Sequence, residues 1–337
     1  MKVADFHYDL AGTSIAQSAI EPRHDSRLLD TRDMSDHRFL DLADLLELQD
    51  LLVVNDTRVR PARLVGRRAD TGGKVELLLL DRRGDGWWDA LARPSRRLRP
   101  GIVLEFDGLS ATVETIPDEG MVAVSLDADD EEAVIGATGS VPLPPYFTGT
   151  LPDPDRYQTI FAREPGSAAA PTAGLHFTNE VLERLDERGV SMTTVDLHVS
   201  LDTFRPMSVE RIEDHDMHSE WCSVPLEAVT RIADTRAAGA RVVAVGTTVV
   251  RALESMADGR GGVRSGSHRT DLFLRPGYKF KVVDALITNF HMPSSTLLVL
   301  LAAFMGPGWR EAYETALDRG YRFLSFGDAM YAERSRL

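Results

Sequence analysis

Several short segments carry residue types that handle protons and anions. His176 closes the small-residue loop 166–178 (GSAAAPTAGLHFT), in which Ala173 and Gly174 leave the backbone uncovered. A helix is predicted over 179–188 with Thr178 as its N-cap, so the loop feeds a helix N-terminus, where free N–H groups favour an anion or carboxylate. A tight core turn with His176 satisfied inside it is the competing reading, since the stretch is neither a P-loop nor a dinucleotide fingerprint. Gly246, Thr247 and Thr248 stand between a predicted buried strand and a helix. There they offer N–H groups and two hydroxyls to a polar ligand, or form an ordinary strand-to-helix turn. Arg251, one turn further on, suits a bidentate clamp on a carboxylate. Asn289 and His291 follow an apolar strand at 285–287 and can read a nucleobase edge or move a proton. Asp56 sits in Asn55-Asp56-Thr57-Arg58 at the end of the apolar run 51–54, with a structural ion pair as the alternative.

Two further clusters need weighing. His215, His218 and Glu220 have a spacing that tempts a metal reading, but no further Cys/His cluster supplies another ligand, so no metal is expected. His218 and Glu220 as a hydrogen-bonded acid/base pair is the preferred reading, against a polar surface loop. Arg93, Arg96, Arg97 and Arg99 place four arginines in seven residues, with Arg67-Arg68 and Arg82-Arg83 nearby. That pattern fits phosphate contact, or else a solvated face.

The elements that must hold these residues divide by texture. From 62 to 126, six short apolar stretches (62–65, 75–80, 87–92, 102–106, 111–116 and 121–126) alternate with Gly- and Asp-rich turns. That spacing predicts a small all-β barrel or sandwich. The acidic run 127–132 reads as a solvated connector, and the proline-rich stretch 142–154 as a rigid return. The flanks predict helices over 35–48, 155–161, 226–239, 249–256, 294–304 and 310–319. Strands are predicted at 51–54, 193–199, 241–245, 270–274, 279–283 and 285–287. The expected fold is therefore an α/β body (1–59 and 148–337) with an inserted small β-barrel domain (60–147).

Composition narrows the classes. The net charge of -14 disfavours nonspecific nucleic-acid binding, yet residues 58–106 hold twelve Arg and Lys against six Asp and Glu. Cys222 is the only cysteine, which excludes an intrachain disulfide and suits a reducing cytoplasm. The longest apolar run, 297–305, is too short for a bilayer, and the opening MKVADFHYDL has no signal-peptide core, so no membrane association is expected.

Read together, the loop 166–178 and the segments 50–58 (DLLVVNDTR), 214–220 (DHDMHSE), 245–251 (VGTTVVR), 284–296 (DALITNFHMPSST) and 321–330 (YRFLSFGDAM) resemble, in order, the S-adenosylmethionine:tRNA ribosyltransferase-isomerases of queuosine biosynthesis. The resemblance spans nearly the whole chain. It implies an inserted β-barrel, S-adenosylmethionine as co-substrate without a metal, and tRNA as partner. The implied reaction transfers and isomerises the ribosyl group onto 7-aminomethyl-7-deazaguanine in tRNA, giving epoxyqueuosine with loss of adenine and methionine. It further implies that S-adenosylmethionine lies between the loop 169–176, Gly246–Thr248 with Arg251, and 289–291. His176, His218 and His291 are then proton-transfer candidates, Glu220 orients His218, and Asp56 is next in line. The sequence departs from the family at Ser200-Leu201-Asp202-Thr203-Phe204, where Gly-x-Gly-Thr-Phe is usual. That departure keeps open a diverged paralogue acting on a small molecule or another deazapurine. A non-catalytic RNA-binding module is a third reading.

Overall fold

The computed structural model describes every residue except 119, 150, 152, 164, 200–205, 336 and 337; the departure at 200–204 therefore lies outside the described residues. Two compact units emerge, Met1–Arg58 with Pro144–Glu164 and Ala170–Leu337, and Val59–Leu143 with Pro165–Ala169.

The first unit opens with β1 (Arg27–Asp30) and β2 (Ser35–Arg38), an antiparallel pair, then the short α1 (Leu42–Leu45) and β3 (Leu51–Asn55). The helix expected over 35–48 is thus shorter and later. Ser35–Arg38 is polar and half exposed, and it gains its backbone partners from the β1 ladder rather than from a helix.

The second unit starts at β4 (Arg58–Val59), which pairs with β11 (Pro165–Ser167). Between them run β5 (Arg63–Arg68), β6 (Lys74–Arg82), β7 (Trp88–Arg93), β8 (Val103–Phe106), β9 (Leu109–Val113) and β10 (Met121–Asp127). These six close into a barrel, as the strand spacing predicts. At Gly66 a Cβ would lie 2.1 Å from the Glu105 carbonyl oxygen, so only glycine lets β5 approach β8 closely enough to close it. The acidic run is not a mere connector. Asp130 caps α2 (Glu131–Thr138) by accepting from the Ala133 N–H, and Glu131 accepts from the buried Trp88 indole.

The first unit resumes with α3 (Asn179–Glu187), β12 (Ser191–Leu197), β13 (Glu220–Val224), α4 (Leu226–Ala237) and β14 (Val242–Val245). It continues through α5 (Thr247–Ser255), β15 (Gly266–Thr270), β16 (Ala285–Asn289), α6 (Thr296–Met305), α7 (Gly308–Asp318) and β17 (Ala329–Glu333). Its nine-stranded sheet has the order β15-β13-β12-β3-β14-β16-β17-β1-β2, with β12, β3, β14 and β16 parallel. Of these, β3, β14 and β16 are fully buried and mainly apolar because both faces are covered, whereas β12 (SMTTVDL) alternates buried and half-exposed residues. Leu52, Val54, Val243, Val245 and Ile287 pack with Phe177, Val181 and Leu185 of the α3 side, while α5 covers β12 and β14 on the other.

Further expectations in this unit change. Residues 155–161 hold only a 3₁₀ turn at Pro154–Tyr157. The strands expected at 270–274 and 279–283 are replaced by β15 at Gly266–Thr270 and an irregular segment. Glu254 of α5 organises that segment by accepting the N–H groups of Lys281, Val282 and Val283. Thr178 precedes α3 without capping it; its hydroxyl lies 2.7 Å from His24 Nδ1 instead.

Candidate active site

The four parallel strands end together at Leu197, Asn55, Val245 and Asn289, and open α/β sheets bind ligands outside such carboxyl ends. A cleft lies there, a concave site of the kind that small molecules occupy. Its walls come from residues 170–173, Gly246–Thr248 and 288–292, with Tyr146, Leu324 and Ser325 at one side. Among the described residues, none of the side chains lining it carries a charge.

Gly246 makes the turn possible. Its φ of 93° is open to glycine but strained for other residues, and its N–H bonds the Ile287 carbonyl at 2.8 Å, tying β14 to β16. Gly246 is the N-cap of α5 and offers no side chain to the helix's first N–H groups. Thr248 Oγ1 is buried there with no hydrogen-bond partner among the described residues. The neighbouring α6 differs, because Ser295 Oγ accepts from the Leu298 N–H and closes its terminus.

Two of the expected histidines meet at this edge. His176 is 4% exposed and stacks on Phe39, its ring centroid 4.8 Å away. Its Nδ1 lies 2.7 Å from Ser26 Oγ and its Nε2 3.1 Å from Asn289 Nδ2. Asn289 Oδ1 in turn accepts from Thr172 Oγ1 at 3.1 Å. His291 lines the cleft, with Nε2 3.1 Å from Thr288 Oγ1. Burial pulls both imidazoles down to about 3, with Arg322 and Arg23 adding to the effect at His176. Both are neutral at physiological pH.

Other candidates stand elsewhere. Arg251 does not line the cleft. Its guanidinium is buried against the Glu220 carboxylate and also donates to the carbonyls of Leu272 (3.2 Å) and Thr270 (3.4 Å). A buried guanidinium requires a counter-charge, and β13 supplies Glu220 where a ligand carboxylate was expected. Glu220 is correspondingly buried, whereas His218 two residues earlier is exposed. Asp56 also lies outside the cleft lining. Burial raises its carboxyl, a hydrogen bond with Thr194 opposes that, and the Asp196 carboxylate pushes it further up. The Arg163 guanidinium lies 3.9 Å from it. Ala173 lines the cleft beside Gly246, while Gly174 packs against Thr159.

The family model described as "Queuosine biosynthesis protein" matches residues 3–332. The chain belongs to that family. It is 51% identical to the S-adenosylmethionine:tRNA ribosyltransferase-isomerase of Anaeromyxobacter sp., covering 99% of this chain and 100% of that one. It is 50% identical to the enzyme of the same name from Heliobacterium modesticaldum, covering 98% and 99%. The crystal structure of S-adenosylmethionine tRNA ribosyltransferase from Thermotoga maritima is similar at a TM-score of 0.55 and 37% identity, covering 97% and 99%.

Within this queuosine biosynthesis protein the basic cluster forms a second candidate surface, on the barrel unit. Arg93, Arg96, Arg97 and Arg99 are exposed, and the buried Leu98 anchors their loop between β7 and β8. No acidic group among the described residues lies within ion-pair distance of these four. The barrel's Arg63, Arg68 and Arg82 instead pair with Glu76, Asp70 and Glu131. Sequence reasoning missed Ser26, Thr172 and Tyr146. Thr172 stands in the loop 166–178 already singled out, but a hydroxyl, like that of Ser26, carries no pattern of its own until its partner is known. Tyr146, whose hydroxyl meets Ser325, lies in a proline-rich stretch read only as a connector.

Proposed function

We propose that this chain is an S-adenosylmethionine:tRNA ribosyltransferase-isomerase acting on 7-aminomethyl-7-deazaguanine in tRNA. The reading is carried by the uncharged cleft at the carboxyl edge of the sheet, where an uncapped helix N-terminus and the orphaned Thr248 hydroxyl await a polar ligand. The methionine carboxylate of S-adenosylmethionine takes the Gly246–Thr248 turn, satisfying free N–H groups of α5. The sulfonium then lies among neutral side chains. It withdraws electrons from the ribose 5′ carbon and acidifies its C–H, with no carboxylate among the described lining residues to offset it. His291, neutral and in the cleft wall, accepts that proton, and Asn289 faces the nucleoside. Adenine leaves from C1′, the neutral amine of the modified base joins the ribosyl carbon skeleton, and a ribose alkoxide displaces methionine from C5′ to close the epoxide. Arg93, Arg96, Arg97 and Arg99 contact tRNA phosphates.

The test is to incubate the protein with S-adenosylmethionine and either modified or unmodified tRNA, and to measure free adenine. Adenine that depends on the modified tRNA is expected. Adenine formed equally without tRNA points to a small-molecule acceptor, and tRNA binding with no adenine points to a binding module.

A further inference from the structure

His176 lines not the cleft but a smaller cavity behind it, with Ser26, Arg23 and Arg156. Asn289 and Thr172, to which it is linked, line the cleft itself. The direction of every bond in this chain is determined. The Asn289 amide nitrogen faces two carbonyl oxygens, of Leu324 at 3.3 Å and Asp328 at 3.5 Å. Turning the amide over would set its own oxygen against both, so Nδ2 must point that way. His176 Nε2, also facing Nδ2, is then an acceptor, and the ring proton sits on Nδ1, donating to Ser26 Oγ. On its other side Asn289 presents Oδ1, so Thr172 must donate its only hydroxyl proton there. The Thr172 oxygen is left with lone pairs alone for anything in the cleft.

We propose that His176 is a positioning residue, not a proton carrier: by accepting from the Asn289 amide it helps hold in place the Asn289 oxygen that makes Thr172 an obligate acceptor for a hydroxyl of a ribose-bearing ligand. The identity of that ligand rests on the function proposed above; the polarity of the chain does not. Protonating His176 would place an N–H against the Asn289 amide hydrogens, so the ring cannot take up a proton without breaking the chain.

Four variants and one spectrum test this. His176→Gln keeps an acceptor at the Nε2 position, His176→Phe removes it but keeps a flat ring on Phe39, and Thr172→Val removes the hydroxyl. The fourth combines His176→Phe with Thr172→Val. S-adenosylmethionine binding is measured by calorimetry, and adenine release across pH 6–9. Thr172→Val should weaken binding about three- to tenfold, the scale of one neutral hydrogen bond. His176→Phe should do no more than that, and the double variant should be no weaker than Thr172→Val alone, because one residue acts through the other. His176→Gln should stay within about threefold of the parent in binding and rate, with an unchanged pH profile.

The assignment is overturned if His176→Gln binds normally yet loses adenine release about a hundredfold, the scale of a lost general base. It is equally overturned if the two single effects add, or if Thr172→Val binds like the parent. Should His176→Phe fail to fold, the Gln and Val variants still decide. Should the parent bind no S-adenosylmethionine, the function reading fails by itself. The ligand-free protein then tests the chain through the imidazole ¹⁵N spectrum at pH 7, where a neutral Nδ1-protonated ring is expected and an Nε2-protonated or charged ring overturns the assignment.

Discussion

Arg93, Arg96, Arg97 and Arg99 of the barrel unit stand in solvent with no acid in ion-pair range among the described residues, whereas Arg251 of the body is 3% exposed and bound to Glu220. The same side chain answers to different rules in the two places. On the barrel an unpaired guanidinium costs little, since water solvates it, and it remains available to a polyanion. In the body an unpaired buried charge is costly, and Arg251 is tied to Glu220 just as the buried His176 is tied to Ser26 and Asn289. The Thr248 hydroxyl is among the buried side-chain atoms left without a hydrogen-bond partner by the described residues, and unlike the others it stands in the cleft wall. Exposed charge outside ion-pair range on the barrel and a buried hydroxyl without a hydrogen bond in the cleft wall are therefore the informative features of the two units.

The comparison can be broken or sharpened by measurement. The largest effect is expected at His291, where replacement by Ala should cut adenine release by roughly 10²–10⁴-fold while S-adenosylmethionine binding, followed by calorimetry, changes little. A variant that releases adenine at the parent rate moves the base elsewhere, with Asp56 next. Arg251→Met should follow. Leaving Glu220 buried without its counter-charge should cost about 3–5 kcal/mol of stability, read from denaturant unfolding. Adding Glu220→Gln to it should recover part of that loss, whereas the four exposed barrel arginines should each be replaceable by Ala with no measurable change in stability.

Acid should expose the buried histidines next. His176 and His291 bind protons near pH 3 when folded but near 6.5 when unfolded. Below pH 6.5 the unfolded chain takes up the extra protons, so stability is fully present above that pH and lost as pH falls toward 3. Between pH 6.5 and 5, above most carboxylate titration, each histidine should contribute a slope approaching 1.4 kcal/mol per pH unit. His176→Phe should remove its share of that slope, and an unchanged slope would show that the ring titrates normally. The smallest effect belongs to the barrel. Arg96→Ala with Arg97→Ala should weaken tRNA binding about tenfold at low salt and lower the log–log salt slope by about 2, one for each lost phosphate contact. S-adenosylmethionine binding should not move. Affinity unchanged at low salt would mean that the cluster is only solvated.

Much of the architecture was legible because it repeats a local pattern. The six barrel strands announce themselves by alternation and by glycine-rich turns. The helices α3, α4, α5 and α6 show their apolar faces or caps, and the strands β3, β14 and β16 their β-branched runs. The elements that escaped are those whose reason for existing lies in a neighbour. The polar β2 (SDHR) and β15 (GSHRT) have no apolar signal and are strands only because β1 and β13 offer them ladders. The segment after β15 is irregular because one buried carboxylate, Glu254, collects three of its N–H groups.

The candidate site divides along the same line. Sequence alone picked out three segments that come together in the fold: the loop ending at His176, the turn at Gly246–Thr248 and the strand end at Asn289–His291 all reach the carboxyl edge of one sheet. Backbone conformation there is a local property of glycines, small residues and strand ends, and so it is written in the chain. What each side chain does was decided by tertiary structure alone. Arg251 looks like a ligand clamp until β13 brings Glu220 against it, and His176 looks like a base until Asn289 and Ser26 occupy both its nitrogens. Protonation, charge and hydrogen-bond polarity depend on groups more than 100 residues away in the chain at His176 and 31 away at Arg251, and only folding brings those groups within 3 Å or so.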